Sequence, residues 1–177
     1  MKRHPSLHAL SEHHHHALVQ AFLIARAAKE PLGRRRMLFR RAARDFLRFW
    51  QRAGRRHFRE EEEVLLPALA RHVALDTQPA VIRMLAQHAD IRGRIEQLAA
   101  ALVLGRNLEP TLTRLGRLLH DHVRLEENQV FPRIEAALSE KEMRRLRERL
   151  TRLHGAPRRK PDRKRARKGR TTTAGKR

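Results

Sequence analysis

Apolar residues recur along this chain at steps of three and four, the spacing of one helix face, and nowhere alternate as in a half-buried strand. Leu7, Leu10, Leu18, Phe22 and Ala25 place an inward stripe on a first helix from about Ser6 to Lys29, ended by Pro31 and Gly33. A second segment runs from Arg34 towards Leu66, with Gly54 in its middle and Pro67 closing or kinking it. After a loop around residues 76–79, Val81, Leu85, His88, Ile91, Ile95, Leu98 and Leu102 define a third helix. Gly105 to Pro110 break the chain again, and a fourth helix from near Thr111 carries Leu112, Leu115, Leu119, His122, Val130 and Phe131 up to Pro132. Ser139 to Leu153 read as a short fifth helix, with Ser139 as N-cap and Glu142 three positions on. The predicted fold is all-α: an up-and-down four-helix bundle with a short fifth helix in residues 1–154, then a disordered basic tail, 155–177.

Composition narrows the chemistry. The chain has no cysteine, which removes disulfides, zinc ribbons, iron–sulfur clusters and thiol catalysis. No run of eighteen apolar residues exists, so no membrane span is expected, and the polar start from Met1 to Pro5 does not read as a signal peptide. A cytoplasmic protein is expected. Two features stand out: a formal charge of +22, and 12 histidines. Eleven Lys or Arg against Asp162 give the last 23 residues a net 11 − 1 = +10.

The histidines fall into a pattern. His57 is followed by Arg at +2, Glu at +4 and +5, two apolar residues at +8 and +9 and Pro67 at +10. His122 is followed by the same set, ending in Phe131 and Pro132. The upstream helices each offer histidine too, so the chain reads as two related helical hairpins. Residues four apart share a helix face, so His57 and Glu61 point at one spot, as do His122 and Glu126. A carboxylate on a buried stripe is costly unless it is paired or binds metal. Imidazole mixed with carboxylate suits iron, manganese or zinc. Two glutamates from two helices are placed to bridge two ions, with histidines outside them.

Each element alone has a plainer explanation. A lone His88 on an apolar stripe is more often a core histidine, and Glu60 to Glu63 is more often a solvated face. Together, two motifs in register with the stripe and each paired with an upstream histidine favour a metal site. The order also differs from the Glu-x-x-His of ferritin-like di-iron proteins, whose spacing only Glu12 and His15 fit.

At these residues the sequence resembles the hemerythrin-like, His–His–Glu cation-binding family, over about residues 6–153. The resemblance implies a non-haem, oxo- or hydroxo-bridged pair of iron ions, with His57, His88 and His122 as terminal ligands and Glu61 and Glu126 as bridges. On the first helix His14 falls best on the inward stripe, and His15 is the second choice, at the stripe's neighbouring edge. His13 and His16 are expected to be more exposed. Oxygen-carrying members bear a His-x-x-x-His pair on the third helix, whereas here His88 has Met84 before it and Arg92 after it.

Two functions follow. The first is a di-iron protein that binds or senses oxygen, peroxide or nitric oxide, or handles iron, without a dedicated catalytic activity. Six protein ligands do not fill two six-coordinate ions, which leaves room for a small ligand. The second is non-specific attachment to nucleic acid or another polyanion through the 155–177 tail, with a merely structural metal site. No aromatic residue interleaves the tail's cations, so base stacking is not indicated.

Overall fold

Eight α-helices build the structure, a computed structural model that describes residues 3–154. The predicted basic tail, with its nucleic-acid contact, lies outside the described residues. Helix α1 (His8–Ala28) follows a 3₁₀ turn at Pro5–Leu7 and buries Leu10, His14, Ala17, Ala21, Ile24 and Ala27. Helix α2 (Leu32–Phe49) continues through a wide π-helical turn, Trp50–Gly54, into α3 (Arg55–Glu60). A second π turn, Glu61–Leu65, leads on to α4 (Leu66–Leu69). Helix α5 (Pro79–Val103) is the third long rod. The fourth is α6 (Glu109–Leu125), a π turn at Glu126–Val130 and α7 (Phe131–Ala137). Helix α8 (Glu140–His154) is the fifth. The described residues contain no strand.

The seams are heptad-like. Helix α5 buries Val81, Met84, His88, Ile91, Ile95 and Leu98, and α6 buries Leu112, Leu115, Leu119 and His122. Alternating steps of three and four suit the shallow crossing of a four-helix bundle. Three expected core residues lie elsewhere, Ala25 among them, which is exposed. Leu85 is 39% exposed, because Met84 takes the seam position. Phe22 is 64% exposed, because α1 presents the small Ala17 and Ala21 to the interior instead. Small residues allow close approach: a Cβ added at Gly116 of α6 would stand 3.2 Å from Ile24 Cγ2 of α1.

The ends are made by local chemistry. Gly105, at φ +66°, stops α5. The Arg106 N–H donates to the Ala101 carbonyl (2.9 Å) and the Gly105 N–H to that of Leu102 (3.4 Å), closing the last turn. Ser139 and Glu142 cap α8 reciprocally as expected: the Ser139 N–H donates to Glu142 Oε2 (2.9 Å) and the Glu142 N–H to Ser139 Oγ (3.4 Å).

Neither Pro67 nor Pro132 ends its helix. Proline lacks the N–H that the carbonyl four residues back would bond, and its ring crowds that carbonyl. In both rods a π turn directly precedes the helix that the proline opens, and the wider turn accommodates it.

The core comes in two parts. One packs Leu7, Leu10, Leu65, Leu69, Met84, Phe131 and Ile134 against Met143, Leu146 and Leu150 of α8. The other gathers Ile24, Phe39, Phe46, Phe58, Ile91, Leu98, Leu112 and Leu115. Along α1 and α5, His14 and His88 stand where one part gives way to the other. Among the described residues no helix is long and apolar enough to cross a membrane.

Gly116→Val should force α1 and α6 apart, at a cost of about 1–3 kcal/mol for overpacking. For a domain of this size that lowers Tm by about 2–4 °C per kcal/mol. Gly33→Ala, with nothing within 4 Å of the added methyl, is the control. Thermal melts that coincide for Gly116→Val and the wild type would show that the helices do not touch there.

Candidate metal centre

Four rods each bring donors to one level of the bundle. His14 comes from α1 and His88 from α5, each on a seam position. His57 of α3 and Glu61 of the following π turn share a face, as do His122 of α6 and Glu126. None of the six is more than 6% exposed. They form two overlapping groups, His14, His57, Glu61 and Glu126, and His88, His122, Glu61 and Glu126. Within each, the donor atoms lie within 4.8 Å of one another. Each hairpin thus brings two imidazoles to one position, and both positions share both carboxylates.

The orientation is uniform. Every imidazole turns Nε2 inward. His57 Nε2 is 3.0 Å from Glu61 Oε1, and His88 Nε2 is 3.3 Å from Glu61 Oε2. His122 Nε2 is 3.1 Å from Glu126 Oε1, and His14 Nε2 is 2.8 Å from Glu126 Oε2. None of these eight buried atoms, four nitrogens and four carboxylate oxygens, has a well-formed hydrogen bond. Such orphans are expensive in a dry interior unless something sits among them. Nitrogen and oxygen donors without sulfur fit a first-row divalent or trivalent ion.

The outer nitrogens are held from behind. His14 Nδ1 donates to Glu127 Oε1 (2.7 Å), His88 Nδ1 to Glu62 Oε1 (2.6 Å) and His122 Nδ1 to Gln87 Oε1 (3.2 Å). Arg3 clasps Glu127 (2.8 Å) and Arg92 clasps Glu62 (2.8 Å and 2.9 Å). The same arginines lie over Phe131 and Phe58, each 5.2 Å from the ring centre. Those rings in turn stack on His14 and His88. Ring, carboxylate and guanidinium therefore fix the two upstream histidines in the same way in both halves, the kind of outer support that orients metal ligands. Trp50 extends one half, packing edge-on against Phe58. Gly54 makes room for that indole, since a Cβ there would strike it.

Electrostatics follow from this crowding. Burial disfavours charge on Glu61, yet the histidines around it hold its carboxyl well below the usual range. Burial likewise opposes charge on His14, but Glu126, Glu127 and Glu61 raise it well above an ordinary histidine. His88 is raised to about 10 against burial by Glu126, Glu61 and Glu62. His122 goes the other way, to about 4, because burial and the nearby His88 and His14 outweigh the pull of Glu126 and Glu61. Without an ion, protonated His14 and His88 balance Glu61 and Glu126. A cation entering the site displaces those protons.

The run His13–His16 sorts by rotation. His14 faces the cluster. His15, the second choice for a ligand, is exposed and lies edge-on to His16 at 6.0 Å. One residue turns the side chain by about 100°, which carries His15 away from the interior. His13, expected to be more exposed, is more exposed than His14 but less so than His15, and is half-buried beside His57 and Glu60. Arg92, one turn beyond His88 where oxygen-carrying members bear a second histidine, is the clasp on Glu62.

Residues 6–134 match the family model of the hemerythrin HHE cation-binding domain. The chain belongs to that family. The match ends before α8. No curated protein and no solved structure matches the chain significantly.

Glu61→Ala and Glu126→Ala should each abolish retention of bound metal through gel filtration. Glu62→Ala and Glu127→Ala should keep it but weaken affinity by about 10–100-fold, the usual effect of losing an outer partner. Metal analysis of the purified variants and competition with a chelator give both quantities. Equal retention in all four would mean that the inner and outer carboxylates are misassigned.

Proposed function

We propose that the protein is a dinuclear non-haem iron protein that binds or senses a small oxidant or gas (oxygen, peroxide or nitric oxide). In this reading His14 and His57 are terminal ligands of one ion and His88 and His122 of the other, with Glu61 and Glu126 shared. The observation that carries it is the pair of four-donor groups with two carboxylates in common, eight inward atoms lacking hydrogen-bond partners. When bound, iron supplies redox chemistry and open coordination positions for a small ligand.

The chain's own residues do the rest. Two imidazoles and two shared carboxylates per position leave each six-coordinate ion incompletely filled. The apolar Phe58, Phe131, Leu10 and Ile91 exclude bulk water around the donors. The Glu127–Arg3 and Glu62–Arg92 pairs keep the imidazole Nδ1 protons outward and the Nε2 lone pairs inward. Nothing in the cluster resembles a hydrolytic nucleophile with its base, and the donors bury no polar group suited to a larger substrate. We take residues 1–154 as the metal-binding unit.

The protein isolated from iron-rich medium should contain close to two irons per chain. Its oxidised form should show near-ultraviolet charge-transfer absorption that azide or nitric oxide perturbs. His14→Ala should lower the iron content, and His15→Ala should leave it unchanged. Zinc alone, or one ion per chain, would exclude this reading.

A further inference from the structure

Three of the four imidazole Nδ1 atoms behind the centre meet an oxygen, at 2.6, 2.7 and 3.2 Å. The fourth does not. His57 Nδ1 faces another nitrogen, His13 Nδ1, at 3.4 Å. Glu60 Oε2 stands 3.5 Å from the same His13 atom, and the three side chains bring donor atoms within 4.8 Å of one another. Glu60 is fully buried, and its other oxygen lies 3.4 Å from Arg56 Nε.

These spacings are long for hydrogen bonds between ring nitrogens and a carboxylate, which cluster at about 2.7–3.2 Å. The two distances from His13 Nδ1, 3.4 Å and 3.5 Å, match the edges of a coordination tetrahedron. With metal–ligand bonds of about 2.0–2.1 Å, neighbouring donors around a tetrahedral ion stand about 3.3–3.4 Å apart. The position is also reachable, since the His13 side chain is 16% exposed while Glu60 is closed off.

We propose that His13 Nδ1, His57 Nδ1 and Glu60 Oε2 form a third, outer cation site. It takes one divalent first-row ion in tetrahedral N₂O coordination, completed by water. Its ring is shared with the dinuclear centre: His57 presents Nε2 inward and Nδ1 outward. Only through that ring does the site rest on the dinuclear reading. Its place between solvent and the buried donors makes it a first landing point for a cation on its way inward.

The test uses the full-length protein stripped of metal, then loaded with zinc(II) against a weak chelator that strips exposed histidines. Metal per chain is read after gel filtration. The wild type should retain three ions. His13→Asn and Glu60→Gln should each retain two, and the exposed His16→Ala should retain three. Circular dichroism reports whether the variants fold, and the near-isosteric Glu60→Gln guards against a failure of His13→Asn to do so. Cobalt(II) in place of zinc should give tetrahedral visible bands that both variants lose.

A wild type that saturates at two ions would overturn the outer site and leave the dinuclear reading standing. Equal stoichiometry in the wild type and both variants would also overturn it. Variants that drop to one ion or none would show instead that His13 and Glu60 only position His57. A wild type holding fewer than two ions would defeat the dinuclear reading as well.

Discussion

Everything in this bundle is arranged around buried polar atoms that face one another as imidazole–carboxylate pairs without a well-formed hydrogen bond. Four imidazole nitrogens and four carboxylate oxygens converge at mid-height, inside two apolar clusters that would otherwise be one core. Desolvating such groups is among the larger costs a protein interior can carry. The sequence could have placed leucines at these positions, which carry no such desolvation cost. That it places donors at seam positions of four rods is the strongest physical statement the structure makes about what it is for.

Holding those donors requires a second layer, built twice. In each half a phenylalanine stacks on the upstream histidine, a glutamate accepts its outer proton, and an arginine holds the glutamate. The Glu62 and Glu127 that do this come from the hairpin opposite to the histidine they hold. Each hairpin therefore orients a ligand of the other, and the two halves are locked together through the site as much as through the core. Outer partners of this kind fix the orientation of the donor rings.

Much of this was legible in the sequence, and the omissions have physical causes. The repeated His-x-x-x-Glu with its trailing proline identified His57, Glu61, His122 and Glu126, because four-residue spacing is local. His88 and His14 followed from helical phase. The phase was less secure for large side chains: Phe22 and Leu85 look like core residues, yet alanines and Met84 fill those seams. Close packing at Gly116 rewards small residues in a way no stripe count reveals. The Arg3–Glu127 and Arg92–Glu62 clasps join residues far apart in the chain, and only the doubled glutamate at +5 hinted at them. His13 sits deeper than His15 because its burial depends on Glu60 and His57 across the helix gap, which helical phase does not encode.

The π turns have a further consequence. Among the buried positions downstream of Glu61 are Leu65 and Leu69, and among those downstream of Glu126 are Val130 and Ile134, each series at steps of four. In an unbroken α-helix each such step would swing the buried face about 40° further round. The wide turn takes up that excess and acts as a phase adjuster between donor level and lower core. Removing one residue from it would turn everything beyond by about 100° relative to the carboxylate. The two halves of each rod are thus geared to each other through a single turn, so length changes are tolerated in the loops between rods and not within them.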